Sequence, residues 1–185
     1  MGKAAHPKDR GRMIPSVART RKLAMRLALL AALFLAAPAI AADDVKLQAV
    51  SIDGLLKAVA AHKGKIVVID VWANFCVPCK EKFPHMVELA NKHAKDGVVF
   101  ISLTVDEPED KDKALDFLKK NKANFQNFLL EDRDRNEKPG DEKFYHSAPP
   151  ILHVFDRDGK KVKVYEGKKE AGQLDAQLEE MIKKK

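Results

Sequence analysis

Cys76 and Cys79 are the only thiols in this chain of 185 residues. They lie in WANFCVPCK, residues 72–80. A pair this close has three chemical uses: a structural cross-link, part of a metal site, or a redox-active dithiol. A cross-link stabilises mainly by closing a loop, and its effect grows with loop length, so a loop this short gains little. Zinc takes four ligands. The chain has no second cysteine pair, and His62, His85, His93, His146 and His153 stand at no local ligand spacing to the first. A copper(I) ion held by two thiolates stays open as an alternative. The dithiol reading has a positive argument. Cys76 falls where the apolar run IVVIDVW ends and a helical pattern begins. Unpaired N–H groups and the positive dipole end of a helix stabilise a thiolate. Its pKa then falls from about 8.5 into a range of about 3.5–7.5. Pro78 suits a first helical turn, where its missing N–H would have had no partner. The spacing sets the second sulfur one turn away. Cys76 is therefore expected to attack, and Cys79 to resolve the mixed disulfide.

The elements that position this pair follow from periodicity. VKLQAV (45–50) reads as a short strand, and SIDGLLKAVAAHKGK as a helix with Leu55, Leu56, Val59 and Ala60 on one face, ended near Gly64. IVVIDVW (66–72) and VVFISLTV (98–105) are dense in β-branched residues, as in strands buried on both faces. Between them, from Cys79 onward, the pattern turns helical: Phe83, Val87, Leu89 and Ala90 alternate with Lys82, Glu88, Lys92 and Lys95. Gly97 closes that helix. KDKALDFLKKNK predicts a helix with Leu115 and Leu118 inward, FQNFLL (125–130) a short strand, and EDRDRNEKPGDEK (131–143) a solvated loop. ILHVFD and KVKVYEG, joined by DRDG, predict a hairpin with an edge strand, and QLDAQLEEMIKK a last helix. Alternating strands and helices followed by a hairpin give an α/β fold. Its central sheet is mixed but mainly parallel, with helices on both faces.

The formal net charge of +7 suggests nucleic acid, but its distribution removes the suggestion. Residues 1–42 hold eight of the 34 Lys/Arg and one of the 27 Asp/Glu, so residues 43–185 carry 26 of each. A phosphate-binding domain shows a basic excess; no nucleic-acid partner is expected. The basic start, the apolar LALLAALFLAA (27–37), Pro38 and the small residues AIAA have the order of a secretory signal. The expectation is a cleavable signal peptide over 1–42 and one domain over 43–185, in the periplasm or outside the cell. The alternative is a membrane anchor over residues 23–42, although a spanning helix needs roughly 20 apolar residues. Either way the cysteines lie where disulfides persist.

IDVWANFCVPCK, with Phe83 and Pro84 after it, resembles the active-site region of the thioredoxin superfamily, and in layout its secreted TlpA/ResA-like bacterial members. The likeness covers residues 45–185. It implies the thioredoxin fold and thiol–disulfide exchange with no cofactor and no metal. Trp72 matches the family's Trp before the first cysteine, with Phe75 adjoining it. Pro84 matches the helix-kinking proline, Asp70 the buried carboxylate of the central strand, and Pro150 the cis-proline, preceded here by Pro149. On physical grounds, a carboxylate inside an apolar strand is costly unless used. Asp70, with its pKa raised by burial, would take the proton of Cys79; the alternative is a structural Asp bonded to backbone. Trp72 is either an apolar shelf beside the sulfurs or core packing. Val77 and Pro78 between the cysteines, with Pro149 and Pro150 opposite, are expected to meet the substrate. Pro149 lacks the N–H that the family commonly offers there. His153 reads as packed or solvent-facing, His85 as surface and Met86 as core.

The expected partners are proteins with thiols or disulfides and a membrane electron donor, and the chain is expected to be a monomer. No His stands between the cysteines, which leans toward a reductase or mild exchanger. The rivals are a thioredoxin-fold binding module, through copper(I) or protein docking, and a peroxidase. Ala73-Asn74-Phe75-Cys76 lacks the Thr-x-x-Cys setting of the latter.

Overall fold

The structure, a computed structural model, describes residues 1, 2, 45–131, 144, 147–167 and 172–184. The chain divides into two units, Met1–Ala41 and Ala42–Lys185, and the following concerns the second. The expected signal peptide and nearly all of the 131–143 loop lie outside the described residues.

Six strands form one sheet: β1 (Gln48–Val50), β2 (Ile66–Trp72), β3 (Val98–Thr104), β4 (Gln126–Leu130), β5 (Ile151–Phe155) and β6 (Lys161–Glu166). Their spatial order is β1-β4-β3-β2-β5-β6. β2 and β3 run parallel with Trp72 opposite Thr104, and β4 runs parallel to both β3 and β1. β5 is antiparallel to β2, and β6 to β5. The sheet is thus mixed and mainly parallel. Every residue of β2 is buried, as a β-branched run at the sheet centre requires. β1 is shorter than VKLQAV predicts: Val45 and Leu47 are buried without belonging to the strand.

Among the described residues, four α-helices cover the sheet: α1 (Ile52–Ala61), α2 (Val77–His93), α3 (Lys111–Lys120) and α4 (Leu174–Lys183). Alternation along β2 sorts them. Val67, Ile69 and Val71 pack with Leu55 and Val59 of α1 and with Ala114 and Leu118 of α3. Ile66 and Val68 pack with Met86 and Leu89 of α2 and with Leu174 and Leu178 of α4. On α3, Ala114 and Leu118 are the buried positions and Leu115 is half-buried, because the stripe runs one residue earlier than the leucines suggest.

Local chemistry sets the helix ends. Ser51 caps α1, its hydroxyl oxygen accepting the Gly54 N–H at 3.1 Å. After α2 a short 3₁₀ turn, Ala94–Asp96, leads to Gly97 in the left-handed region at φ 78°, a conformation glycine adopts without steric cost.

Candidate active site

β2 ends at Trp72, and the chain turns through Ala73-Asn74-Phe75 to Cys76, the N-cap of α2. The turn closes through the Cys76 N–H, which donates to the Ala73 carbonyl at 3.0 Å. The Cys79 N–H, an unpaired donor of the first helical turn, points at the Cys76 sulfur at 3.2 Å. Cys76 and Cys79 are joined by a disulfide, with Cα atoms 5.3 Å apart. Cys76 retains 5% exposure and Cys79 none. An incoming sulfur therefore meets Cys76 first.

Opposite the pair, the carbonyl oxygen of Pro149 lies 3.4 Å from the Cys76 sulfur, and the Pro149–Pro150 peptide bond is cis. Both prolines are buried. Val77 and Phe75 flank Cys76 at 60% and 69% exposure. They are, with Val162 and Met1, the exposed large apolar residues among those described. Pro78 is half-buried in the first turn.

Of the two readings of Trp72, a shelf beside the sulfurs or core packing, its burial fits core packing. It is fully buried, donates its indole N–H to the Ser102 hydroxyl at 2.9 Å, and packs on Phe117 and Phe83 with ring centroids 4.9 and 5.4 Å away. Its position on a fully buried strand leaves it no route to the surface, and the exposed aromatic at the site is Phe75.

Asp70 lies on the α2 side of β2, beside Leu152 of β5 and Ser102 of β3. Its Oδ1 accepts a charge-assisted hydrogen bond from the Lys82 ammonium. The side chains of the pair are 3% and 8% exposed. Its Oδ2 is buried with no hydrogen-bond partner among the described residues. Burial pushes the Asp70 pKa above the ordinary carboxylate value, and the Lys82 charge and hydrogen bond oppose that rise. The helical alternation in the sequence does not single out Lys82; the structure turns it inward. Lys82 is three residues beyond Cys79, so both lie on the same helix face, the one turned to Asp70. A lone carboxylate in an apolar strand is the sequence signal that a partner cation had to be found.

Asp106 is a second residue that sequence reasoning missed. Its carboxylate, 2% exposed, accepts the Asn74 N–H at 2.8 and 3.1 Å, the Asn74 side-chain amide at 2.9 Å and the Thr104 hydroxyl at 2.6 Å. It anchors the turn that carries Cys76 to the end of β3. The signal was present in the parallel register: with Trp72 opposite Thr104, residue 106 falls beside residue 74.

Two histidines singled out in the sequence are bonded away from the sulfurs. His153 is buried in β5 and bonded through Nε2 to the Phe144 carbonyl at 2.8 Å. His85 is half-exposed beside Asp175 of α4 at 3.0 Å, and Met86 is core.

Comparison with known proteins places this geometry. The AhpC/TSA family pattern matches residues 35–139. A Bacillus thuringiensis subsp. konkukian protein named thiol-disulfide oxidoreductase ResA is 33% identical over 124 residues, covering 66% of this chain and 64% of the relative. The chain thus spans just under two thirds of that relative's length. Among solved structures, a thiol:disulfide interchange protein of the thioredoxin family from Chlorobium tepidum TLS matches with TM-score 0.55 at 21% identity, covering 66% of this chain and 83% of that one. A thiol:disulfide interchange protein from Bacteroides sp. matches with TM-score 0.52 at 22% identity, covering 66% and 76%. The two structures establish the fold, which is the thioredoxin fold.

Proposed function

Because the chain belongs to the AhpC/TSA family, we propose that it is a thiol–disulfide oxidoreductase that exchanges the Cys76–Cys79 dithiol/disulfide with protein substrates. One observation carries the reading: a cysteine sulfur at a helix N-cap, held by a backbone N–H, bonded to a second cysteine one turn on and more exposed than it. Such a sulfur is stabilised as a thiolate and accessible to attack or be attacked. The shared chemistry in the name of the ResA relative supports it.

In the reducing direction, the Cys76 thiolate attacks one sulfur of a substrate disulfide. That S–S bond breaks, the other substrate sulfur leaves as a thiolate, and a mixed disulfide forms. Cys79 then attacks the Cys76 sulfur and gives its proton to Asp70. The second substrate thiolate leaves with its electron pair. The substrate gains two electrons and the chain is left with the Cys76–Cys79 bond; the cycle also runs in reverse. Asp70 Oδ2 is a buried oxygen with capacity for that proton. Phe75, Val77 and Pro78 form the contact surface, with Pro149 and Pro150 backing the sulfur. Trp72 supports it from the core.

The domain works outside the cytoplasm after loss of residues 1–42, as a reductase or mild exchanger supplied by a membrane thiol donor. The signal-like order of residues 1–42 supports this, as does the absence of a His between the cysteines. Among the described residues, no helix is long and apolar enough to cross a membrane.

Insulin reduction by dithiothreitol, with wild type and Cys76→Ser, tests the activity. Wild type should accelerate insulin precipitation and the variant should fall to the uncatalysed rate. Equal rates would remove the exchange reading and move the pair to copper(I) binding or docking.

A further inference from the structure

Lys82 is a buried cation that the exchange chemistry above leaves without a task. It sits on α2 three residues past Cys79, and its ammonium is bonded to the proton-accepting carboxylate of Asp70. We propose that Lys82 is a positioning residue for the resolving step: its charge keeps Asp70 ionised at neutral pH, so that Oδ2 is ready to take the Cys79 proton. This inference deepens the proposed exchange function and rests on it.

The geometry divides the carboxylate's two oxygens between two tasks. Oδ1 is occupied by Lys82, while Oδ2 is buried without a hydrogen-bond partner among the described residues. A carboxylate in so apolar a place would take up a proton and cease to be a base. A cation in contact opposes that preference, as the Lys82 charge and hydrogen bond do here. The other neighbours supply no charge. Beside Asp70 stand Ser102 on β3 and Leu152 on β5. The face of α2 turned to it carries Cys79, Lys82 and Phe83. Among the described residues, Lys82 is the charged group acting on Asp70. The remaining buried titratable groups described are His93 at the far end of α2, Asp106 beyond β3, His153 on the other face of β5, and Tyr165 of β6, separated from Asp70 by Leu152 of β5.

The step balances as follows. The Cys79 S–H bond breaks, its proton moves to Asp70 Oδ2, and its electron pair forms the bond to Cys76. The Cys76–substrate S–S bond breaks, and the substrate thiolate carries off that electron pair. The ammonium of Lys82 gives up no proton; it offsets the negative charge before the transfer.

The test uses the reduced full chain and the aromatic disulfide 5,5′-dithiobis(2-nitrobenzoate). The first coloured thiolate is released when Cys76 attacks, and the second when Cys79 resolves. Lys82→Gln keeps a donor but removes the charge. It should leave the first phase unchanged and shift the pH midpoint of the second upward, slowing it by about tenfold near neutrality for one pKa unit. Lys82→Arg should restore the wild-type profile. In an Asp70→Asn background, Lys82→Gln should have no further effect on the second phase. Superimposable pH profiles for Lys82→Gln and wild type would overturn the inference, as would equal slowing in the Asp70→Asn background. If Lys82→Gln does not fold, the ¹³C carboxyl signal of Asp70 in the reduced wild-type chain decides: ionised at neutral pH supports the inference, protonated overturns it. Absence of the first phase in wild type would instead sink the exchange function itself.

Discussion

Removing one member of a buried ion pair leaves the other charged and unpaired, which costs about 3–5 kcal/mol. Asp70 and Lys82 are such a pair, and the sign of the pH dependence follows from it. The folded-state pKa of Asp70 is already raised by burial. Lys82→Met removes the charge that opposes this, so the folded value climbs further above the unfolded value of about 3.9. A raised folded pKa means stability that is fully present below the unfolded value and is lost as pH rises through the folded one. Thermal melts should therefore show the deficit of Lys82→Met against wild type small near pH 4 and growing toward neutrality. The double variant Asp70→Asn/Lys82→Met should lose most of that pH dependence. Phe75 belongs to the same scale. At 69% exposure its ring holds nothing in the core. Phe75→Ala should slow reduction of insulin by about tenfold, the weight of partly burying a Phe against a partner, while the first phase with the small aromatic disulfide stays unchanged. Of these residues, the cysteines, Asp70 and Phe75 were legible in the sequence. Lys82 was not, because a charged residue in a mixed pattern reads as solvent-facing, and only the helix's rotation against β2 shows otherwise. Trp72 was legible in position but open in role, since periodicity does not tell a shelf from a core ring.

Elements were read best where burial is unambiguous. The β-branched runs of β2 and β3 occupy the sheet centre, and the run of each strand could be marked to within a residue. β1 and α3 were read less well. β1 begins three residues later than its apolar pattern, and α3 buries Ala114 in preference to Leu115; an edge strand and a short amphipathic helix take their limits from neighbours that sequence does not show. The turn between β2 and α2 depends on a contact between elements. Asp106, just past the end of β3, accepts the main-chain N–H of Asn74 and one hydrogen of its side-chain amide. Asp106→Ala leaves these half-buried donors without their acceptor, at a cost of about 1 kcal/mol for each. The variant should melt earlier than wild type, and alkylation of Cys76 by iodoacetamide below neutral pH should slow, because the N-cap geometry that steadies the thiolate is no longer held. A variant with an unchanged alkylation rate would confine Asp106 to stability.

At the scale of the whole molecule, the balanced charge of residues 43–185 and the six-stranded sheet make the domain a neutral scaffold on which two of the exposed large apolar residues among those described, Phe75 and Val77, flank Cys76. The fold class came from alternation and the hairpin signal, the chemistry from where one strand run ends. The measurement that addresses the central claim most directly is the ionisation of Cys76 in the reduced full chain, followed by ultraviolet thiolate absorbance against pH, with Cys76→Ser as reference. One thiol should titrate well below the free value of about 8.5, and that component should vanish in Cys76→Ser. Two thiols that both ionise like free cysteine, or a low-pKa component that survives in Cys76→Ser, would contradict the account.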